Sequence, residues 1–374
     1  MTDYAAPIRL HQPRRFEFGA GSAAQVGDWA ISMGYSRIMV LTSPSVAPMI
    51  DRLGLQAQVS VFDGVQPEPD TGNLAKAIAA AAAFGPDLVV GFGGGSVMDV
   101  AKLVTVLHGG VPLADVIGPN KVTARLNALA LVPTTAGTGS EAGIRALVTD
   151  ATTHNKVAVE SLLMLADMVA LDPDLTMSVP PAVTAATGID AMAHCVEAFT
   201  NRKAHPLIDN YARMGFSLVA RYLPRAVADG NDREARAALL LASYYGGICL
   251  GPVNTAAGHA LAYPLGTRLK LPHGLANALV FPHVLAFNLP VASAKTAEVA
   301  AALGLRCDSE AALLETASHW CRALGVEMRL SALGAQTSNL PDWAHEAHSI
   351  RRLMDNNPRD MAEDQVLAIY AAAF

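Results

Sequence analysis

The stretch PDLVVGFGGGSVMDVAKLVTVLHG (residues 86–109) decides the fold. A short continuous apolar run leads into three glycines, and a longer segment with helical apolar spacing follows. The unit therefore reads as strand, loop, helix. Glycine lets a backbone come close to a ligand, and a helix N-terminus presents free N–H groups and the positive end of a dipole, which together hold a pyrophosphate. The spacing is not G-x-G-x-x-G, because Met98 stands where the third glycine would fall. The glycines alone fit a tight turn equally well. The strand–loop–helix context favours Gly94, Gly95 and Ser96 as phosphate-binding residues.

Working outward, the same texture repeats. SRIMVLTS (36–43) and QVSVFDGV (58–65) are short apolar runs, NLAKAIAAAAAFG (73–85) has helical composition, and NALALVPTTAGTGSE (127–141) is a strand ending in small residues. This alternation predicts a doubly wound parallel sheet. In the last segment Thr134, Thr135 and Thr138 offer hydroxyls to a nucleotide. The same loop also reads as a capped helix start with Ser140 or Thr138 as N-cap, and both can hold at once. Two such loops at strand C-termini suit the nucleotide crevice of an open α/β sheet. After the second strand, VLTSPSV (40–46) supplies Thr42 and Ser43 but no acid. A carboxylate there would repel a 2′-phosphate, so NADP(H) is expected to be accepted alongside NAD(H).

Near residue 180 the strand signals fade, and Pro180-Pro181 punctuates the chain. Helical patterns rich in alanine and leucine take over, as in HPLIDNYARMGFSLVARYL (205–223) and DREARAALLLASYYGGICL (232–250). The expected organisation is an α/β dinucleotide-binding domain over 1–180 and an all-α metal-binding and substrate domain over 181–374. The 374 residues are 52% hydrophobic and 16% charged, with net charge −6, which excludes a disordered chain and makes nucleic acid a poor partner. So few charges leave apolar surface for a subunit interface, and a homodimer is expected. No apolar stretch has the length of a membrane span, and the N-terminus has no apolar signal region. Four cysteines without C-x-x-C pairing read as reduced thiols of a cytoplasmic protein.

The most specific chemistry lies beyond residue 180. Asp190 and His194 stand four apart in GIDAMAHCVEAF, so a helix puts both on one face. His259 opens HALAYPLG and His273 follows in LKLPHG. One carboxylate and three imidazoles form a plausible ligand set for a divalent transition metal. A lone histidine is more often a hydrogen-bonded core residue. Four ligand-type residues in motifs rich in small residues are harder to dismiss. His283, His205 and His108 compete for the role, and His283 is read as structural or as supporting the ligands.

These residues resemble the iron-containing alcohol dehydrogenase family. The matching stretches are FGGGSVMDVAK (92–102), LVPTTAGTGSEA (131–142), LDPDLT (171–176), TGIDAMAHCVEAF (187–199), HALAYPLG (259–266) and PHGLANA (272–278). The resemblance implies an N-terminal nucleotide-binding α/β domain and a C-terminal all-α domain, the dehydroquinate synthase-like fold, with the metal in the cleft between them. It puts the metal, Fe²⁺ or Zn²⁺, on Asp190, His194, His259 and His273. It puts pyrophosphate on Gly94 and Gly95 with Ser96 beside them, the rest of the cofactor on Thr134, Thr135 and Thr138, and a further contact on Lys156. Tyr263 replaces a histidine to which a proton relay is sometimes assigned, Ser43 replaces the ribose-binding acid, and Arg145 replaces a cofactor-side asparagine of some members. The implied activity is reversible hydride transfer between NAD(P)(H) and a small alcohol or aldehyde. Maleylacetate reductases share the fold, but the intact HALAYPLG and PHG motifs look more like the alcohol dehydrogenases. A dehydroquinate synthase-like lyase would need a Lys/Arg cluster, and only Arg268 and Lys270 stand near the ligands.

Overall fold

The computed structural model describes residues 4–153 and 155–374. They fall into two compact units, His11–Ser178 and Val179–Phe374, and the described part of the first ten residues belongs with the second.

Among the described residues the first unit carries nine strands: β1 (Arg15–Phe18), β2 (Arg37–Leu41), β3 (Gln58–Phe62), β4 (Leu88–Gly93), β5 (Gly118–Pro119), β6 (Ala128–Pro133), β7 (Arg145–Thr149), β8 (Lys156–Glu160) and β9 (Met168–Leu171). Its helices are α1 (Gln25–Met33), α2 (Thr71–Phe84), α3 (Gly95–Leu107) and the one-turn α4 (Leu113–Val116). Six strands form a parallel sheet in the order β1-β9-β6-β4-β2-β3. The central strand β4 is buried along its whole length, which explains its unbroken apolar sequence. Gly91 is needed there because a Cβ would lie 2.8 Å from Ala101 Cβ on α3 and 2.8 Å from Leu131 Cδ2 on β6. Asp70 caps α2 by accepting from the Asn73 amide at 2.7 Å. By contrast, Gly94 begins α3 with no side-chain cap.

The doubly wound parallel sheet expected from the alternation is present. A second sheet, β5-β8-β7, was not expected. It is built on the antiparallel pair β7 and β8, with β5 added in parallel.

The second unit is helical: α5 (Pro181–Thr200), α6 (Pro206–Ala228), α7 (Arg233–Leu250), α8 (Ala257–Arg268), α9 (His273–Asn288), α10 (Ser293–Leu303), α11 (Glu310–Ala323), α12 (Leu340–Ser349), α13 (Arg351–Met354) and α14 (Glu363–Ala372). Pro181 opens α5 at a position where its missing N–H costs nothing. The helix is then buried from Gly188 to Thr200, packed against α6, α7 and α9. Gly215 and Gly246 let α6 and α7 close around Cys195, whose sulfur would stand 2.4 Å from a Cβ on Gly215. All four cysteines are free. No helix among the described residues is long and apolar enough to cross a membrane.

Candidate metal centre and nucleotide crevice

Three helices of the second unit bring four side chains together. The buried helix α5 carries Asp190 and His194 one turn apart, His259 lies in the first turn of α8, and His273 is the first residue of α9. Their ligand atoms all lie within 4.8 Å of one another. Oδ1 of Asp190 stands 3.9 Å from Nε2 of His194, 3.6 Å from Nε2 of His259 and 3.7 Å from Nε2 of His273. These distances are too long for hydrogen bonds. Atoms 2.1 Å from one tetrahedral ion stand about 3.4 Å apart, so the spacing suits a shared cation. The rings of His194 and His259 stack at 4.7 Å. Asp190, His194 and His259 are buried, while the His273 side chain is 25% exposed and gives the cluster an open side.

The electrostatics are those of a site built for positive charge. Burial opposes ionisation of Asp190, but the imidazoles of His194, His273 and His259 outweigh it and hold its pKa well below the ordinary carboxylate value. Burial, aided by the neighbouring imidazoles, lowers His194 to about 4 despite Asp190. Burial acts to lower His259 too, yet Glu197 and Asp190 raise it to about 10. Nδ1 of His194 and Nε2 of His259 are buried without a hydrogen-bond partner among the described residues. A buried, unpartnered nitrogen such as Nε2 of His259 is costly unless a metal or water satisfies it, so this donor set fits a divalent ion. Binding such an ion would displace the His259 proton.

Around these four residues stand two that the motif reading did not single out. Asn277, one turn into α9, donates Nδ2 to Oδ1 of Asp190 at 2.7 Å and faces Nε2 of His273 at 3.1 Å. Glu197 accepts the His259 Nδ1 proton at 2.6 Å. Both lie inside quoted motifs, and their polarity on buried helix faces was the available signal.

The competing histidines are elsewhere. His283 lies buried in α9, outside the cluster, and burial lowers it to about 4. His205 caps α6 by accepting from the Leu207 amide. Nε2 of His108 faces Asn127 Nδ2 at 2.8 Å. Tyr263 follows His259 by one turn. Its ring centroid is 6.1 Å from that of His273, and its hydroxyl accepts from Arg352 Nη2 at 3.3 Å.

In the first unit the two small-residue loops meet. A Cβ on Gly94 would lie 3.2 Å from Thr135 Oγ1, and one on Gly95 would lie 2.7 Å from Thr138 Oγ1. Thr134 closes the junction, its amide donating to the Gly93 carbonyl at 3.1 Å. The chain runs outward from β2 to β3 and returns to β4 on the other side of β2, so strand order reverses between β2 and β4. Ligands of open α/β sheets bind outside the strand C-termini at such a reversal. Here those ends carry Ser43 and the Gly94–Ser96 turn. Thr42 donates its hydroxyl to the Phe92 carbonyl at 2.7 Å and ties the two strand ends together.

Beneath the loops lies a buried polar lock. Lys102 donates from Nζ to the Ser140 carbonyl at 2.5 Å, Ser140 Oγ at 2.8 Å and the Arg145 carbonyl at 2.8 Å. Ser140 in turn donates to Asp99 Oδ1 at 2.6 Å. Lys156 is ion-paired with Glu68, whose amide donates to Ser96 Oγ at 3.2 Å. Arg145 pairs with Glu160 across β7 and β8.

The model of the iron-containing alcohol dehydrogenases matches residues 13–173, and that of the family's C-terminal part matches residues 184–374. The chain is 35% identical to long-chain-alcohol dehydrogenase 1 of Geobacillus thermodenitrificans, over 98% of this chain and 96% of that protein. The chain belongs to the iron-containing alcohol dehydrogenase family. Within the family it is also 31% identical to the sulfoacetaldehyde reductase of Bilophila wadsworthia, over 96% of this chain and 97% of that one. A solved 1,3-propanediol oxidoreductase superposes with a TM-score of 0.94 at 29% identity, covering 99% of this chain and 100% of the other. The iron-containing alcohol dehydrogenase of Thermotoga maritima superposes with a TM-score of 0.87 at 28% identity, covering 98% and 99%. These likenesses agree with the expected fold class, an α/β unit plus an all-α unit.

Proposed function

We propose that this chain is a metal-dependent oxidoreductase that moves hydride reversibly between NAD(P)(H) and a small alcohol, aldehyde or ketone. The observation that carries the reading is the ring of three imidazole Nε2 atoms, 3.6 to 3.9 Å from one oxygen of Asp190. Asp190, His194, His259 and His273 would hold the ion, Fe²⁺ or Zn²⁺. A divalent ion there supplies Lewis-acid stabilisation of negative charge on a substrate oxygen, and the nicotinamide supplies the hydride chemistry.

The remaining work falls to the chain. Gly94, Gly95 and Ser96 offer a pyrophosphate the uncapped start of α3, while Thr134, Thr135 and Thr138 line the facing loop. Lys156 adds a positive charge held in place by Glu68. Tyr263 is the proton donor of this reading, with solvent as the alternative; its oxygen accepts from Arg352, which supports the role by leaving its own proton to give. No carboxylate follows β2, where Ser43 shares a hydrogen bond with Ser45. This supports acceptance of NADP(H) as well as NAD(H).

Metal analysis of the purified chain, followed by NADH and NADPH consumption with a panel of aldehydes and with maleylacetate, tests the reading. Metal-dependent reduction of aldehydes with either cofactor is expected. Full activity after metal stripping would overturn the metal role. A strong NADH preference would overturn the cofactor claim. Turnover of maleylacetate alone would favour the reductase of a carboxylated substrate.

A further inference from the structure

We propose that Glu197 is a positioning residue that holds a proton of His259 on Nδ1, so that Nε2 is the nitrogen left to a metal, and that Gly258 exists to let it do so. The inference rests on the metal-dependent reading above and extends it to a residue outside the ligand set.

Glu197 lies on α5 just beyond His194 and is 6% exposed. Its two oxygens meet only donors. Oε1 accepts from Nδ1 of His259 at 2.6 Å, and Oε2 accepts from the Ala256 amide at 2.5 Å and, more distantly, from the His259 amide at 3.4 Å. One carboxylate thus caps the start of α8 and grips the side chain that α8 delivers. A carboxylate cannot donate, so the imidazole proton is placed on Nδ1. The nitrogen that gives up its proton to an ion is then Nε2, the atom 3.6 Å from Asp190 Oδ1 that has no partner of its own. Histidine ligands are commonly oriented in this way through their second nitrogen.

The approach leaves no room at residue 258. A Cβ on Gly258 would lie 2.6 Å from Oε1 and 3.0 Å from Cδ of Glu197. Any side chain there must push the carboxylate away. A small cavity of about 20 Å³, lined by Glu197, Gly258 and Asn277 among others, lies open to it.

Two variants separate positioning from simple capping. Glu197→Gln keeps the shape but offers one acceptor and one donor. If its NH₂ faces Ala256, two donors collide. If it faces His259, the ring proton must move to Nε2, where it blocks ligation. Gly258→Ala keeps the carboxylate and displaces it. The full-length chain is stripped of metal. Zn²⁺ affinity is measured by competition with a chromophoric chelator, the melting temperature of the metal-free protein is recorded, and Co²⁺ is loaded for its visible spectrum.

Both variants should bind Zn²⁺ roughly 10- to 100-fold more weakly and show an altered Co²⁺ spectrum. Wild-type affinity and spectrum in the folded variants would overturn the proposal, even if the metal-free protein melts earlier, because that outcome is capping alone. If Glu197→Gln does not fold, Gly258→Ala decides by the same criteria. Failure of the unaltered chain to bind Zn²⁺ would sink the metal-dependent reading itself, and this inference with it.

Discussion

A Cβ on Gly95 would stand 2.7 Å from both Oγ1 and Cγ2 of Thr138, so the two small-residue loops of the first unit are in contact and only glycine fits at the junction. Gly95→Ala should push the Thr138 loop outward and disturb the start of α3 together. NAD(P)H affinity, followed by nucleotide fluorescence, should fall at least about tenfold, since roughly 1.4 kcal/mol of lost contact suffices. Metal content should stay at the wild-type level, because the four metal-site residues lie in the other unit.

The cluster predicts a second separation. His259→Ala removes one of three imidazoles and should abolish metal retention and activity together, with cofactor binding preserved. In the unaltered chain, added Zn²⁺ should raise the melting temperature by mass action, and that rise should vanish in the variant. A Zn²⁺-induced rise of wild-type size in His259→Ala would remove His259 from the ligand set.

Lys102 is fully buried, and burial pulls its pKa below the ordinary lysine value, partly offset by Asp99. Its Nζ serves three oxygens in the second loop and β7. Lys102→Met keeps the length but strands those acceptors and the Asp99 carboxylate. The expected cost is about 3 kcal/mol, read as a lower denaturation midpoint. An unchanged midpoint would mean the lock contributes nothing to the fold.

Glu141 follows Ser140 in the same loop. Burial raises its pKa to about 7, and its Oε1 has no hydrogen-bond partner among the described residues. Below pH 4.5 the carboxyl is protonated in both the folded and unfolded chain and has no effect. Between 4.5 and 7 the unfolded chain ionises first, so stability falls as pH rises, by on the order of 3 kcal/mol in total. Denaturant melts of the wild type and Glu141→Gln across pH 4 to 8 should converge at the acid end and separate with rising pH, the variant becoming the more stable. Parallel curves would contradict this.

Tyr263→Phe should leave metal and cofactor affinity intact, because the ring is kept. If the hydroxyl moves the proton, kcat should drop by about 100-fold or more, and an unchanged kcat would assign that proton to solvent.

How much of this was readable without coordinates depended on how local each signal was. The parallel sheet followed from apolar runs that alternate with helical segments, and β4 shows why: a strand buried on both faces must be apolar throughout. The second sheet was missed because β7 and β8 are short and only partly buried, and their pairing, not their composition, makes them strands. Asp190 and His194 share a helix, so four-residue spacing exposed them. His259 and His273 entered the set by residue type and motif, and the family resemblance fixed their membership, since spacing cannot say which helices meet. Glu197 escaped notice because a glutamate on a helix ordinarily faces solvent. Here α5 is buried from Gly188 onward, and the start of α8 supplies the donors that Glu197 meets inside. Asp99 and Lys102 gave no signal for the same reason: charged residues three apart on a helix ordinarily face solvent, yet α3 is covered on nearly every side.

The uncapped start of α3 has one more consequence. Helices α2, α7 and α11 complete their first turns with an aspartate or serine of their own. At α3 the chain supplies Gly94 and leaves the amides of Gly95 and Ser96 to another acceptor. A bound phosphate group would then do the job of a missing amino acid, finishing a piece of secondary structure with an atom the gene does not encode. In such a design, cofactor occupancy and the protection of these two amides are one event. Slowed hydrogen exchange at Gly95 and Ser96 would report nucleotide binding before any substrate is turned over.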